Sequence, residues 1–260
     1  MIAAKLLRIV PCFGVHGYVD SVGKYMRTID NIKKRIFKTL WPFGSLCYSQ
    51  EGEDMILGKI FSGQKHGFYV DVGAHHPLRF SNTYLFYLKG WSGINIDAMP
   101  GSMVAFNKER PRDINLETPV SDKSEELTYY IFNEPALNGF SKELSMSRDG
   151  LRGQYKILET KALKTRTLSD ILDEYISDGK QIDFLSIDVE GLDFQVLSSN
   201  NWGRYRPSVV VVEVLSNSIE DLPLSNTYRF MQEQGYVCYA KTDRSTFFLE
   251  NEFYKNRYGK

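Results

Sequence analysis

Cysteine is scarce in this sequence of 260 residues, with three copies that stand far apart at Cys12, Cys47 and Cys238. An odd number of cysteines without a C-x-x-C pair predicts neither a disulfide framework nor a thiolate metal site. An excess of one charge is also lacking, because 32 basic residues balance 32 acidic ones. A neutral chain does not support general nucleic-acid binding, so we expect no nucleic-acid partner.

A long apolar run is lacking as well. Near the N-terminus, Lys5, Arg8 and Pro11 interrupt the apolar residues, whereas a membrane-spanning helix needs about 18 of them in succession. No small-residue cleavage site follows, so the pattern does not predict a secretory signal peptide. We therefore expect a cytoplasmic protein.

The charge that is present is distributed unevenly. Residues 1–46 contain eight basic side chains and two acidic ones, a net charge of +6. Such a segment could contact an anionic membrane surface weakly, which would make the protein peripheral to the membrane. It could also pack on its own chain through the apolar stripe between Ile32 and Leu40. We interpret residues 1–48 as a basic N-terminal helical leader and residues 49–260 as the main domain.

Short β-rich runs alternate with helical patterns from residue 49 onward. The most apolar runs are GFYVDVG, GINIDAMP, IDFLSIDVEG and PSVVVVEV. Such strands are typical of a mostly parallel sheet that helices cover on both faces. Residues 236–250 predict a closing hairpin, which adds an antiparallel edge. The sequence thus predicts an α/β fold.

Local signals place the helices and one long loop. Ser49 and Ser81 are predicted N-caps of two helices, and Thr167 is the predicted cap of a third. Another helix is predicted over about 220–234. The stretch 133–154 has no hydrophobic period, which predicts a long functional loop or lid.

Acidic residues stand at the ends of the apolar strands. These acids are Asp71, Asp97, Asp188 and Glu213, with Asp122 and Glu190 in the turns just beyond. Ligands of such sheets bind at the carboxyl ends of the strands. An acid in this position is often a helix cap, so a purely structural role remains the alternative to ligand binding.

The glycine pattern decides against a phosphate-bearing cofactor. A dinucleotide needs G-x-G-x-x-G, in which the later glycines admit the pyrophosphate and let helix and strand pack closely. Here AHHPL follows Gly73, so both later glycines are lacking, and no P-loop occurs. A nicotinamide-dependent oxidoreductase is therefore improbable.

S-adenosylmethionine fits these strand ends better, because it has no phosphate. Gly73 alone suffices for close backbone approach, and Asp71 can meet the ammonium group directly or through water. Asp97 can bind the ribose diol, and Ser121 with Asp122 can meet the adenine amino group. Asp97 follows Asp71 by 26 residues and precedes Asp122 by 25. A few polar groups at such places are what orient a ligand in a mostly apolar pocket.

Six segments resemble the FkbM-type methyltransferases in order and spacing: SQEGED, FYVDVGAHHP, SNTYLFY, GWSGINIDAMP, IDFLSIDVEG and VVVVEV. The resemblance covers about Ser49 to Glu250. It implies dependence on S-adenosylmethionine, a Rossmann-like seven-stranded sheet with an antiparallel last strand, and a hydroxyl acceptor on a sugar or another natural product. The sequence departs from the family at His75 and His76, where Asn and an apolar residue are common, and at Asp97, where Glu is common.

The resemblance adds candidates for the cofactor pocket. It raises the expectation that Gln50, Glu53 or Asp54 comes back over the pocket. Ala74 and Ala98, which follow Gly73 and Asp97 directly, are predicted to contact the cofactor as well.

A hydroxyl acceptor needs a general base, because it is a poor nucleophile until its proton is removed. Asp188, Glu190 and Glu213 are the candidates, since neighbouring carboxylates raise one another's pKa. They could instead cap the following helix or hold Mg²⁺ or Ca²⁺, a metal site that we do not favour. His75 is a candidate base or substrate contact. A zinc site of His75 and His76 is not expected, because adjacent side chains diverge.

Aromatic side chains flank the predicted lid. Tyr129, Tyr130, Phe132 and Phe140 are candidate acceptor contacts. The sequence predicts an S-adenosylmethionine-dependent O-methyltransferase that acts on a hydroxyl of a sugar or glycan precursor. The alternative is a methyltransferase-like domain that has lost catalysis and binds partners or membranes through its basic leader.

Overall fold

The computed structural model describes Thr39, residues 42–216 and residues 218–259, without the side chain of Arg152. The chain divides into two units, residues 1–46 and residues 47–260. Of the predicted basic leader, residues 1–48, the structure describes only Thr39 and residues 42–48. The apolar stripe of the leader lies outside the described residues. No helix in the described ranges is long and apolar enough to cross a membrane.

Strands and helices alternate along the second unit. The strands are β1 (Phe68–Val72), β2 (Ser92–Asp97), β3 (Ile114–Glu117), β4 (Glu126–Phe132), β5 (Ile157–Lys164), β6 (Phe184–Ile187), β7 (Val209–Glu213), β8 (Tyr236–Lys241) and β9 (Ser245–Glu250). The α-helices are α1 (Glu53–Ile60), α2 (Tyr84–Leu88), α3 (Met103–Glu109), α4 (Lys142–Arg148), α5 (Leu168–Tyr175), α6 (Asp193–Ser198), α7 (Asn226–Glu233) and α8 (Asn251–Tyr258).

Seven of these strands form one sheet in the order β3-β2-β1-β6-β7-β9-β8. β3, β2, β1, β6 and β7 run parallel, and β9 runs antiparallel to both of its neighbours. The predicted α/β fold is confirmed, including the mostly parallel Rossmann-like sheet and its antiparallel C-terminal strands. The strand order reverses beside β1, which is where such sheets open a crevice for ligands.

The apolar strands are buried on both faces because their side chains alternate between two cores. In β7, Val210 and Val212 pack into one core, while Val209 and Val211 pack into the other. A strand that is apolar at every position satisfies both cores at once, which explains why the run VVVV lacks the polar alternation of a surface strand.

The prediction of a loop without helices over residues 133–154 is wrong in part. It contains α4 and two short 3₁₀-helices, Pro135–Leu137 and Leu151–Gly153. The hydroxyl of Ser141 accepts the amide N–H of Leu144 and so caps α4. A helix of seven residues makes two turns, which is too short to show a hydrophobic period. The segment links β4 and β5, which form a separate two-stranded sheet.

Three helix starts differ from the predictions. Ser49 is not an N-cap, because α1 begins at Glu53 after Gly52, whose φ is 91°. Ser81 lies before the N-cap of α2, although its hydroxyl still accepts the amide N–H of Tyr84. The helix predicted from about Glu220 begins only at Asn226, where Ser225 caps it. The Thr167 cap of α5 is confirmed by its bond from the amide of Asp170.

Candidate active site

One pocket opens at the carboxyl ends of β1, β2 and β6. It encloses about 960 Å³, part of it open to solvent. The residues predicted for the cofactor and the chemistry that line it are Gln50, Glu53, Gly73, His75, Asp97, Ala98, Asp188 and Glu190. The chain thus brings together residues from the first loop, from the ends of two strands, and from the segment before α1.

Asp97 ends β2 with its carboxylate held by backbone amides. One oxygen accepts the N–H of His75 at 2.8 Å, and the other accepts the N–H of Met99 at 2.8 Å. Burial raises the pKa of Asp97, while these two amide bonds act in the opposite direction. A carboxylate fixed in this way at the pocket wall keeps lone pairs free to accept two neighbouring hydroxyls.

Gly73 serves a purpose that the sequence did not reveal. Its φ is 83°, and a Cβ at this position would lie 1.7 Å from the backbone oxygen of Asp188. The glycine therefore lets the ends of β1 and β6 approach each other, in addition to lining the pocket. This contact sets Asp188 at the pocket wall.

Asp188 lies at the centre of an acidic cluster. One carboxylate oxygen from each of Asp188, Asp193 and Glu213 lies within 4.8 Å of the other two. The Asp188 side chain is open to the pocket, and no hydrogen bond from the described residues reaches its carboxylate. The surrounding protein raises the pKa of Asp188 well above its ordinary value, and the negative charges of Glu213 and Asp193 raise it further.

The other two acids of the cluster are shifted in the same direction. Burial and the charge of Asp193 raise the pKa of Glu213 to about 7. Burial raises the pKa of Asp193 to about 6, against the lowering effect of the amides of Val189 and Gly191, which its carboxylate accepts. The cluster therefore holds protons more tightly than separate carboxyl groups do.

Two arginines balance the acids from outside the pocket wall. Arg244, in the turn between β8 and β9, lies 2.8 Å from Glu213 and 4.0 Å from Glu190. Arg148, at the end of α4, lies 2.8 Å from Glu190. Glu190 has a φ of 52°, a left-handed turn conformation that places it between the two guanidinium groups. The carboxylate of Glu190 is thus engaged by two cations, whereas no arginine or lysine pairs with Asp188 among the described residues.

These pairings also bear on a metal. Glu213 is paired with Arg244, and both oxygens of Asp193 accept backbone amides, so Asp188 alone offers an unengaged carboxylate. Mg²⁺ and Ca²⁺ take six or more oxygen ligands. A cation at this cluster would therefore take few ligands from the protein and most of them from water.

The family comparison agrees with this architecture. A family model described as Methyltransferase FkbM domain matches residues 71–238, more than half of the chain. The chain belongs to the FkbM methyltransferase family. No curated protein matches the chain. The family match begins inside β1 and ends inside β8, so α1 and the turn that carries Arg244 lie beyond it.

His75 is the residue of this FkbM domain whose environment is most unusual. Its φ is 54°, and its ring lies 6.2 Å from that of Phe80, whose φ of 56° is also left-handed. The Nε2 atom is buried without a hydrogen-bond partner among the described residues. Burial, and then the charge of Arg79, lowers the pKa of His75, so its imidazole is neutral near pH 7.

Several predicted residues lie outside the pocket lining of the FkbM domain. They are Asp54, Asp71, Ala74, Ser121, Asp122 and Glu213. Asp71 is buried and accepts the hydroxyl of Thr83 at 2.9 Å. Asp54 is fully buried and accepts the hydroxyl of Ser49 and the amide of Tyr48. These two acids hold the local chain together behind the pocket wall.

The remaining outer residues are placed as follows. Ala74 packs in a small apolar cluster with Met103 and Phe106. The hydroxyl of Ser121 bonds to the carboxylate of Asp122, and the nearby wall is formed by Thr118 and Val120 instead. Glu213 lies behind Asp188.

The lining also contains residues that the sequence did not single out for the site. They include Phe80, Asn82, Met99, Thr118 and Asn138. Tyr129 and Phe140 line the pocket as well, whereas Tyr130 and Phe132 do not. Burial, and then the negative charge of Asp97, raises the pKa of Tyr129. Tyr129 and Phe140 were predicted from the aromatic residues beside the lid, whereas Asn82, Met99, Thr118 and Asn138 carry no local signal for a site.

Proposed function

We propose that this FkbM methyltransferase transfers the methyl group of S-adenosylmethionine to a hydroxyl of a sugar or glycan precursor. The observation that supports it most is that Asp97 and Asp188 face one pocket from β2 and β6. β1 lies between these strands, so the two acids are separated by two strand spacings, about 10 Å. One acid suits the ribose, and the other lies where an acceptor would meet the transferred methyl group.

The residues present fit the cofactor. Asp97 would hold the ribose diol, and Ile96, Met99 and Val120 provide an apolar wall toward β3 for the adenine. The lining acids suit the positive charge of a sulfonium. When bound, the cofactor supplies an activated methyl group, and the protein contributes position and a base.

Asp188 is the base in this proposal. Its carboxylate takes the proton of the acceptor hydroxyl as that oxygen forms its new bond to the methyl carbon and the carbon–sulfur bond breaks toward sulfur. A raised pKa makes the ionised carboxylate a stronger base. Glu213 and Asp193 keep the pKa of Asp188 high, and Arg244 limits the rise.

Titration calorimetry with S-adenosylhomocysteine tests the cofactor assignment. We expect saturable binding in the micromolar range at neutral pH. Absence of binding at millimolar ligand would contradict the proposal. A second assay incubates the enzyme and labelled S-adenosylmethionine with an array of neutral saccharides. Label in an alkali-stable ether linkage is the expected product.

A second candidate function follows from the charge of residues 1–46, which is +6. A domain without catalysis could bind anionic membranes or partners through this segment. Sedimentation with vesicles of phosphatidylserine and phosphatidylcholine tests it. Vesicle binding together with failure to bind S-adenosylhomocysteine would favour this function over the enzyme. The cytoplasmic location is a prediction that fractionation of cells can check.

A further inference from the structure

The charge of the pocket lining restricts the acceptor. We infer that the pocket takes an acceptor whose reacting end is uncharged or positively charged, and that it rejects phosphate and carboxylate groups there. This inference rests on the proposed function, since it concerns the acceptor of the same transfer. A glycan precursor would then place any phosphate outside the pocket.

The first support is the set of charged residues in the wall. Among the described lining residues, the charged ones are Glu53, Asp97, Asp188 and Glu190, and none is a lysine or an arginine. An anionic group in the pocket would thus face four carboxylates without a lining cation. Like charges within a few ångströms disfavour binding, and a partly enclosed pocket screens them poorly.

The second support is that the nearby arginines are already engaged. Arg244 pairs with Glu213 at 2.8 Å, and Arg148 pairs with Glu190 at 2.8 Å. Arg79 pairs with Glu134 at 3.1 Å, and its guanidinium lies over the ring of Phe80. An anionic acceptor would have to break one of these pairs to gain a cation. Protein sites for phosphate usually present such a cation or a free helix N-terminus.

The third support is the position of Asp188. Its carboxylate is open to the pocket, and Asp193 and Glu213 stand directly behind it. An anion beside Asp188 would be a further negative group next to three carboxyl groups that already lie within 4.8 Å of one another, and they would repel it. A neutral hydroxyl meets no such repulsion and can donate its proton to the carboxylate.

The polar but uncharged part of the lining agrees with a neutral acceptor. Gln50 and Asn82 offer amide groups, and His75 offers a buried Nε2 atom without a described partner. The rings of Phe80, Tyr129 and Phe140 provide apolar faces. Amide groups and aromatic faces together suit the hydroxyls and C–H groups of a sugar ring.

Binding of cofactor analogues that match in size and differ in charge tests the inference without a known acceptor. The S-allyl and S-carboxymethyl analogues of S-adenosylmethionine are similar in size, but only the second carries a carboxylate at the transferred carbon. We expect calorimetry of the full chain to show at least tenfold weaker binding of the carboxymethyl analogue. Sinefungin, which carries an amine there, should bind at least tenfold more tightly than S-adenosylhomocysteine, which is uncharged there.

Variants assign the selectivity to the acidic end. Asp188→Asn should reduce both affinity ratios to within about threefold, as expected when one charge of several is lost from the contact. Glu190→Gln should reduce them less, and it replaces Asp188→Asn should that variant fail to fold by circular dichroism. Glu159→Gln, on an exposed part of β5, is the matched control and should leave both ratios unchanged.

The outcomes separate the inference from the proposed function. Equal affinity for the allyl and carboxymethyl analogues, or for sinefungin and S-adenosylhomocysteine, would overturn the charge rule while leaving the enzyme intact. Should both large substituents be excluded by size, the second pair decides. Failure of all four ligands to bind would overturn the proposed function itself.

Discussion

The two ends of the pocket are held in different ways. At the β2 end, backbone amides of His75 and Met99 fix the carboxylate of Asp97. At the β6 and β7 end, long side chains from α4 and from the β8–β9 turn balance the acids. Backbone bonds hold one geometry, whereas charged side chains can exchange partners. The β2 end is therefore suited to an invariant ligand and the other end to a reaction in which charge changes.

The largest effect is expected where the two ends touch. Gly73→Ala places a Cβ 1.7 Å from the backbone oxygen of Asp188 at a φ of 83°. We expect the free energy of unfolding to fall by about 4 kcal/mol, from the left-handed backbone and the overpacking together. Urea unfolding measures it. Gly90→Ala is the control, because its φ is 95° and its Cβ would meet nothing within 4 Å; it should cost about 1 kcal/mol. Equal losses in both would contradict the contact.

A large effect on turnover is expected at the acidic end alone. Asp188→Asn should lower kcat by about 100-fold or more, as for the loss of a general base. Glu190→Gln should lower it less, because Glu190 is already paired with Arg148. Initial rates on a saccharide found in the acceptor array give both numbers, and affinity for S-adenosylhomocysteine should change little. A greater loss of kcat in Glu190→Gln than in Asp188→Asn would assign the role of the base to Glu190 instead of Asp188.

At the amide-fixed end, a substitution should act on binding instead of chemistry. Asp97→Ala should weaken affinity for S-adenosylhomocysteine by about 2 kcal/mol, the usual loss for hydrogen bonds to a charged group. Calorimetry measures this change. Asp122→Ala is a suitable control, since Asp122 is exposed and outside the lining. Unchanged affinity in Asp97→Ala would remove the ribose assignment.

The acidic end should also give stability a characteristic pH dependence. The folded pKa of Glu213 is about 7, above its ordinary value of 4.5. The folded protein then binds this proton more tightly than the unfolded chain does. The free energy of unfolding therefore falls as the pH rises from about 4.5 to above 7. Glu213→Gln should lose less stability than the unaltered protein between about pH 5 and pH 8, by about 2 kcal/mol. Glu233→Gln, an exposed acid on α7, serves as control, and identical slopes would contradict the shift.

The smallest effect is expected at the tie between α4 and the acids. Arg148→Gln removes the pair with Glu190, whose side chains are largely buried, and should cost about 1.5 kcal/mol of global stability. Hydrogen exchange over Lys142–Arg148 should nevertheless quicken several-fold, because the pair joins α4 to the turn after β6. Arg166→Gln, whose partner Glu174 is exposed, should leave that segment unchanged. Equal exchange in both variants would show that packing alone holds α4.

The sequence predicted most of the sheet because the apolar strands are nearly continuous, and it placed acids at the strand ends because those ends are local features. It misplaced Asp71. Successive side chains of a strand point to opposite faces, and nothing local tells on which face the pocket opens. Asp71 lies outside the pocket lining, and its carboxylate accepts the hydroxyl of Thr83.

The arginines escaped prediction for a different reason. Arg148 ends a helix too short to show a period, and Arg244 lies in a hairpin turn with no motif of its own. Their partners, Glu190 and Glu213, are distant in the sequence, so the pairing exists only in the folded chain. Gly73 was predicted to lie against the cofactor, but the atom closest to its missing side chain is the backbone oxygen of Asp188.

The turn between β8 and β9 has a consequence for the boundaries of the working unit. The amide of Arg244 donates to Glu51, the hydroxyl of Ser245 donates to Glu53, and the guanidinium of Arg244 pairs with Glu213. One short turn thereby connects Glu51 and Glu53, at the start of α1, to Glu213 of the acidic cluster. The turn and both of these glutamates at α1 lie outside residues 71–238. A fragment limited to residues 71–238 would therefore lose the contacts by which this turn holds Glu53 and Glu213.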